Sequence, residues 1–277
     1  MSRIIITGAN RGLGWHCARE LAKAGHSLIL ACRNGTSARR AAKVLKAESG
    51  NTDIHVMSLD LMDRNSIRRF AHNFRRRFSE LNILINNAGI ITQKADLTFD
   101  GLEPISATNY FGHYLLTRLL LPDFEPGADN RIVNLVSAIF PYGRTYRFEY
   151  LHRYRWIRAY AVSKYMILQS TLALAEPLKN RGICINAVDP GIANTSIMFT
   201  KKWYDLFIYL ILLPFYISSG IAAGRILHNA LAPELKNVSG GCFRNKRCIS
   251  LKKHDRDPDA LDALIRRTDA LLGLDPL

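Results

Sequence analysis

The chain has 277 residues, of which 48% are hydrophobic and 22% charged, a balance that excludes an intrinsically disordered protein and supplies a large core. The formal net charge of +15 allows nucleic acid, an anionic membrane surface or a phosphate-bearing ligand as partner, without choosing among them. The five cysteines form no C-x-x-C pair, which disfavours a zinc site and favours a reducing compartment.

Strand-like and helix-like segments alternate along most of the chain, and the first begins at Arg3, which leaves no room for a signal peptide. Buried parallel strands are predicted over residues 3–7, 27–32, 54–59, 81–86, 131–137 and 183–188. Helices are predicted over 13–24, 38–48, 66–78, an apolar segment that contains 115–121, and 160–179. This rhythm predicts a single α/β domain over residues 1–277, a doubly wound parallel sheet with helices on both faces.

Two stretches interrupt the rhythm. Residues 140–158 interleave arginines with aromatic side chains; we predict an insertion loop at the rim of the cleft, with single-stranded nucleic-acid binding as the less favoured alternative. Residues 203–217 are nearly all apolar but shorter than the roughly 20 residues of a membrane span. They predict a core helix, a helix lying on a bilayer, or a substrate lid over 195–218; we prefer the lid or the bilayer contact to plain core.

The tail, residues 257–273, is predicted to be a C-terminal helix that docks onto the body. Asp257 is a suitable N-cap and Gly273 follows the last apolar residues.

A glycine-rich turn joins the first predicted strand to the first helix. Its glycines permit a tight turn and let backbone N–H groups approach a diphosphate at the helix N-terminus. The residues expected to contact a dinucleotide there are Gly8, Asn10, Arg11, Gly12, Leu13 and Gly14.

The order of the motifs resembles the short-chain dehydrogenase/reductase family, whose cofactor turn has the same Gly-x-x-x-Gly-x-Gly spacing. Asp60-Leu61, Asn86-Asn87-Ala88-Gly89 and Pro190-Gly191 follow in the family's order, with Thr195 closing the last motif. The runs at 31–33 and 109–117, with the apolar stretch, are similar to the retinol dehydrogenase-like, NADP-preferring branch.

This resemblance implies a Rossmann-type fold and a catalytic tetrad of Asn109, Ser137, Tyr160 and Lys164. It also implies cofactor contacts from Asp60, Leu61, Asn87, Ala88, Gly89, Tyr160, Lys164, Pro190, Gly191 and Thr195. No metal is expected.

Tyr160 and Lys164 lie four residues apart, on one face of the predicted helix. A free tyrosine has a pKa of about 10, and a nearby ammonium with the positive nicotinamide ring would lower the pKa of Tyr160. Tyr160 would then give a proton to an alkoxide or take one from an alcohol. Ser137 would hold the substrate oxygen, and Asn109 a water that links Lys164 to solvent.

Arg33 ends the second predicted strand, where an acidic residue would bind the ribose of NAD and an arginine accommodates the 2′-phosphate of NADP. Arg33 and Arg11 therefore predict NADP(H), with NAD less favoured.

The sequence predicts an NADP(H)-dependent oxidoreductase that interconverts a carbonyl and an alcohol on a lipophilic substrate of the retinoid, steroid or fatty aldehyde type. The alternatives are a reductase of a polar or bulky biosynthetic ketone, and a non-catalytic NADP(H)-binding regulatory protein. We expect a cytoplasmic protein that is not secreted, with peripheral contact with a membrane and a homodimer as further predictions. Nucleic acid is disfavoured as a partner.

Overall fold

The structure is a computed structural model that describes residues 1–93, 96–98, 101–144, 155–193 and 216–277. The strands are β1 (Arg3–Thr7), β2 (Ser27–Cys32), β3 (Ile54–Ser58), β4 (Ile83–Asn86), β5 (Asn130–Leu135), β6 (Ile183–Asp189), β7 (Ile192–Ala193), β8 (Tyr216–Ile217), β9 (Cys242–Arg244) and β10 (Arg247–Cys248). The α-helices are α1 (Gly12–Lys23), α2 (Gly35–Ser49), α3 (Arg64–Arg77), α4 (Pro104–Ser106), α5 (Gly112–Leu120), α6 (Trp156–Lys179), α7 (Ser219–Leu231) and α8 (Pro258–Leu272). A π-helical turn, Ala107–Phe111, joins α4 to α5.

The main sheet has eight strands in the order β10-β9-β6-β5-β4-β1-β2-β3. All its pairs are parallel except β9 with β10. From β1 the chain winds outward to β2 and β3, and then returns to β4 on the other side of β1. The doubly wound sheet predicted from the sequence is therefore confirmed. Such a change of winding direction opens a crevice at the carboxyl ends of β1 and β4, where ligands bind in this architecture.

The core lies in two layers, one on each face of the sheet. Successive side chains of a strand point to opposite faces, so Ile5 packs in one layer while Ile4 and Ile6 pack in the other. The first layer is completed by α3, α5 and α6, and the second by α1, α2 and α7. Because helices cover both faces of the sheet, the side chains of its inner strands are buried on both sides, and the sequences of these strands are mostly apolar.

Helix α6 begins at Trp156, four residues before the predicted start. Within the insertion predicted over 140–158, Phe140–Gly143 form a 3-10 turn and residues 156–158 belong to the first turn of α6; the insertion itself stays a prediction. Residues 145–154 lie outside the described residues. So does most of the predicted lid; its last part forms β8, which pairs with β7, and the cap of α7.

Helix α8 fulfils the docking expected of the C-terminal segment. It packs against α6, and its Asp269 accepts a hydrogen bond of 2.8 Å from the Tyr114 hydroxyl and a further bond from Arg118, both on α5. Asp257 caps the helix and Gly273 ends it at a φ of 62°. In this way α8 covers part of the α5 and α6 surface within the same chain.

Among the described residues, each helix is too short or too polar to cross a bilayer.

Gly112 sits where α5 crosses the loop after β3, and we expect Gly112→Ala to destabilise the protein. An added Cβ would overlap the carbonyl oxygen of Leu61 and approach the Leu61 Cβ at 2.9 Å. Overpacking of this kind costs about 1–3 kcal/mol in the free energy of unfolding, measurable by urea denaturation. Gly224 of α7 is the control, since nothing lies within 4 Å of its Cβ position. Gly224→Ala should be neutral or stabilising by up to about 1 kcal/mol; equal stability of the two variants would contradict the packing argument.

Candidate active site

Thr7, at the end of β1, holds two predicted cofactor loops together. Its hydroxyl oxygen accepts hydrogen bonds of 2.9 Å from the backbone N–H groups of both Asn87 and Ala88. The Asn87 amide nitrogen in turn donates to the Thr7 carbonyl oxygen at 2.8 Å. The glycine turn after β1 and the loop after β4, which includes Gly89, therefore meet at the crevice of the sheet.

The glycine turn has the geometry that a diphosphate requires. Gly8 and Gly12 have φ values of 69° and 59°, which favour glycine. A Cβ at Gly14 would lie 2.5 Å from the Asn87 amide nitrogen, so only glycine lets α1 begin this close to the loop. Arg11 is the N-cap of α1 but its side chain makes no capping hydrogen bond. The first N–H groups of α1, at Gly12 and Leu13, therefore remain available to an anionic ligand.

Arg33 is exposed at the end of β2, next to the first turn of α2. Asn34 caps that helix by accepting from the Ser37 N–H at 2.8 Å. The Asn10 amide donates to the Ser37 hydroxyl at 3.1 Å and so joins the glycine turn to α2. These bonds fix the backbone on both sides of Arg33, whose side chain is left exposed at the surface.

Asp60 and Leu61, which the family resemblance implies as cofactor contacts, lie in the turn after β3, and that role stays a prediction. The Asp60 carboxylate accepts from the Met62 N–H at 3.0 Å and so shapes its own turn. The Leu61 side chain is buried in the core. What Leu61 can offer to a cofactor is its main chain.

Ser137, Tyr160 and Lys164 are brought together by the end of β5 and the face of α6. The Ser137 side chain lies near the Tyr160 hydroxyl and acts to lower the pKa of that phenol. The Lys164 ammonium donates to the carbonyl oxygen of Leu135 at 2.8 Å and lies 5.5 Å from the centre of the Tyr160 ring. Lys164 is buried, whereas Tyr160 retains part of its surface. A hydroxyl donor, a phenol and a cation thus converge at the edge of the crevice.

Asn109 is fully buried in the π-helical turn and joins the loop after β4 to α6. Its amide group accepts from the Ile90 N–H at 2.8 Å and donates to the Ile90 carbonyl oxygen at 3.1 Å and to the Ser163 hydroxyl at 3.3 Å. π-Helical turns are frequent at functional sites. Here the turn lets the Asn109 side chain bind both the loop after β4 and α6, and it holds these two elements in position.

Burial governs the acid–base properties of the pair. The pKa of Tyr160 is raised to about 12, mainly by burial and to a smaller extent by the negative charge of Asp189, while the nearby Ser137 side chain acts in the opposite direction. Burial also lowers the pKa of Lys164 to about 8. In the protein by itself the pKa of Tyr160 is therefore raised by burial, and not lowered as the spacing to Lys164 had suggested. The part of that expectation assigned to the nicotinamide ring stays a prediction.

His113 links the site to β1 and was not singled out from the sequence. Its Nδ1 donates to the Asn109 carbonyl oxygen at 3.0 Å, which leaves Nε2 to accept from the Thr7 hydroxyl at 2.9 Å. This arrangement needs a neutral imidazole, in agreement with the lowering of the His113 pKa to about 4 by burial. The apolar run 109–117 gave no sign of this role.

We expect His113 to make the stability of the protein depend on pH. The folded protein keeps this imidazole neutral down to about pH 4, whereas the unfolded chain takes up the proton near pH 6.5. Its contribution is complete above pH 6.5 and is lost as the pH falls toward 4. Between pH 7 and pH 5 the free energy of unfolding should fall by about 2 kcal/mol. Urea titrations at several pH values should show a weaker pH dependence in His113→Gln. His72→Gln, on the exposed face of α3, should retain the wild-type dependence; an unchanged slope in His113→Gln would refute this account.

The turn after β6 contains charged groups that sequence reasoning missed. Asp189 ends β6, accepts from the Gly191 N–H at 3.0 Å and pairs with Arg244 of β9 at 2.8 Å. Arg225 of α7 donates to the Pro190 carbonyl oxygen at 3.0 Å. A carboxylate that ends an otherwise apolar strand was the available signal. Thr195, predicted to belong to this motif, lies outside the described residues.

Arg144 opens the arginine-rich segment and has a structural partner. Its guanidinium forms a two-pronged ion pair with the fully buried Asp255, at 2.8 and 2.7 Å, and lies 5.5 Å from the centre of the Phe140 ring. This arginine of the segment is therefore engaged within the protein, which weakens the nucleic-acid alternative.

Comparison with known proteins agrees with the site. Residues 2–204 match the family model described as short chain dehydrogenase. Over 275 residues the chain is 36% identical to retinol dehydrogenase 12 of Mus musculus, covering 98% of this chain and 86% of that protein. It is 35% identical over 278 residues to retinol dehydrogenase 11 of Homo sapiens, with coverage of 98% and 86%. A crystal structure of an uncharacterized protein from Mycobacterium paratuberculosis has a TM-score of 0.76 at 29% identity, covering 100% of this chain and 96% of that one.

Proposed function

Because the chain belongs to the short-chain dehydrogenase family, an oxidoreductase family that uses NAD(P), we propose that it is an NADP(H)-dependent enzyme that interconverts a carbonyl and an alcohol on a lipophilic substrate. The observation that carries the proposal is the convergence of Ser137, Tyr160 and Lys164 at the crevice beside the glycine turn. The order of these residues along the chain had suggested this reaction, and their geometry supports it.

The residues of the crevice fit a dinucleotide. The unpartnered N–H groups at the start of α1 would hold its diphosphate, and Arg33 its 2′-phosphate. Lys164 would hold the nicotinamide ribose, with the Asn87–Gly89 loop and the Pro190–Gly191 turn on either side. When bound, the nicotinamide supplies the hydride.

The protein's own part in the reaction is proton transfer and orientation. The Ser137 hydroxyl would donate a hydrogen bond to the substrate oxygen and fix its position. Tyr160, protonated at neutral pH, would donate its proton to that oxygen as alkoxide character develops. Lys164 would stabilise the resulting phenolate through its positive charge. In the alcohol-to-carbonyl direction the same proton would return to Tyr160.

A lipophilic substrate is favoured by two observations. The relatives above carry the name retinol dehydrogenase, and the sequence at 203–217 is almost wholly apolar. We propose an aldehyde or ketone of the retinoid, steroid or fatty aldehyde type. Peripheral contact with anionic lipid, which the same apolar run and the net charge of +15 favour, and a homodimer are further proposals, to be tested by liposome co-sedimentation and by light scattering.

The test is oxidation of NADPH with a panel of all-trans-retinal, medium-chain aliphatic aldehydes, a steroid ketone and a charged keto acid. We expect turnover of the lipophilic members. Turnover of the keto acid alone would favour the reductase of a polar ketone. NADPH binding without turnover of any member would favour the regulatory alternative.

We expect Arg33→Ala to reduce the preference for NADPH. Charge-assisted hydrogen bonds contribute about 1.5–3 kcal/mol, so KM for NADPH should rise about 10- to 100-fold. KM for NADH should stay within about threefold, since NADH lacks the 2′-phosphate that Arg33 would bind. Arg40→Ala, at an exposed arginine of α2, is the control and should change neither KM value. Equal losses for both nucleotides would show that Arg33 does not read the phosphate.

A further inference from the structure

Asp189 is a buried carboxylate that the proposed reaction does not use. Only 2% of its surface is exposed, and it is the last residue of the buried strand β6. Burial of a charge is costly unless the group is paired and hydrogen-bonded. The contacts that stabilise Asp189 therefore indicate what it is for.

Those contacts connect three elements at the crevice. One carboxylate oxygen accepts from the Gly191 N–H, and the other accepts from the Arg244 guanidinium of β9. Gly191 has a φ of 87°, so the turn depends on such support. Arg225 holds the same turn from α7 through the Pro190 carbonyl. The carboxylate thus fixes the turn on one side and Arg225 fixes it on the other.

The position of Asp189 places its charge close to the Tyr160–Lys164 pair. Lys164 donates to the carbonyl of Leu135 in β5, and Leu135 is the register partner of Val188, the residue before Asp189. The other groups facing Lys164 are Tyr160 on α6 and His113 on α5, whose imidazole is neutral. Among the described residues, Asp189 is the carboxylate whose charge raises the pKa of both Lys164 and Tyr160.

We propose that Asp189, paired with Arg244, is a positioning residue that sets the charge balance at Tyr160 and Lys164 and fixes the Pro190–Gly191 turn beside them. The proposal rests on the proposed function, because it takes Tyr160 and Lys164 as the proton-transferring pair. Burial disfavours the charged form of Lys164 and lowers its pKa. The negative charge of Asp189 opposes this effect and also keeps the proton on Tyr160, so it favours the proton-donating form of the site.

Arg244 moderates this effect. Its positive charge partly cancels the field of Asp189, and its side chain remains 40% exposed. Removal of Asp189 and removal of its partner should therefore act in opposite directions on Lys164. A residue that only held the turn in place would not produce opposite shifts.

The experiment measures the pKa of Lys164 in the cofactor-free protein by carbon NMR of lysine labelled at Cε, with the signal assigned by its loss in Lys164→Met. Asp189→Asn retains an oxygen that can accept from Gly191 and should lower the pKa of Lys164 by about one unit. Arg244→Gln leaves Asp189 without its counter-charge and should raise the pKa of Lys164. Asp129→Asn breaks an ion pair with the buried Arg131 at the amino end of β5, the end of the strand away from Lys164. This variant should leave the pKa of Lys164 unchanged.

A pKa of Lys164 that is unchanged in both variants, or that moves in the same direction, would overturn the proposal. Since Arg244 is partly exposed, Arg244→Gln keeps the test decisive if Asp189→Asn folds poorly. In the active enzyme the pH profile of kcat/KM for reduction should shift to lower pH in Asp189→Asn and to higher pH in Arg244→Gln. If the enzyme reduces no substrate while Lys164 shifts as expected, the proposed function fails and the charge-setting role of Asp189 is retained.

Discussion

Replacing Tyr160 by phenylalanine should lower kcat/KM for reduction of a lipophilic aldehyde by about 10²- to 10⁴-fold, the contribution typical of a positioned acid–base group. The phenol is the group that would transfer the proton, whereas the Ser137 hydroxyl would orient the substrate oxygen. NADPH affinity should change little, because the diphosphate and 2′-phosphate contacts are unaffected. The measurements are steady-state kinetics and fluorescence titration with NADPH.

Tyr165→Phe is the matched control for that experiment. Tyr165 is the next tyrosine of α6, it is buried, and the carboxylate near its hydroxyl is that of Asp255. Its loss should cost about 1 kcal/mol of stability and leave kcat/KM within about threefold. Comparable rates in Tyr160→Phe and wild type would reject the proton-transfer mechanism. A similar loss in both variants would point to general damage to α6.

The features that could be predicted from the sequence are those in which neighbouring residues determine the structure. The run from Thr7 to Gly14 is strand, turn and helix start in one short segment, and the positive φ of Gly8 and Gly12 follows from that turn. Helices cover both faces of the sheet, so its inner strands are mostly apolar and lack the apolar–polar alternation of a half-buried strand. The strands could still be predicted from the length of these segments and from the turns that flank them.

The features that escaped prediction depend on pairs far apart in the chain. Asp189 and Arg244 meet only because β9 adds to the sheet beside β6. Likewise Thr7 and His113 are brought together by the packing of α5 on the sheet, and the neutral state of His113 follows from that burial. The pKa of Tyr160 is another case: the spacing to Lys164 suggested a lowered value, whereas burial, which the spacing does not reveal, raises it.

The C-terminal helix offers the prediction with the largest expected effect on stability. In Asp269→Ala the Tyr114 hydroxyl and the Arg118 guanidinium lose their shared acceptor. The side chains of Arg118 and Asp269 are each only 7% exposed, so the variant leaves a buried, unpaired charge. Breaking a buried pair in this way costs about 3–5 kcal/mol, and the thermal midpoint should fall accordingly.

Asp262→Ala on the same helix separates this effect from a loss of helicity or charge in general. Asp262 pairs with Arg266 one turn away, with side chains 57% and 73% exposed, and such surface pairs contribute about 0–1 kcal/mol. The double variant Arg118→Met with Asp269→Leu should recover much of the lost stability, because an apolar pair of similar volume needs no counter-charge. Equal midpoints for Asp269→Ala and Asp262→Ala would mean that α8 is held by its apolar face alone. A cost confined to Asp269→Ala would instead show that the buried pair ties α8 to α5, next to the π-helical turn that positions Asn109.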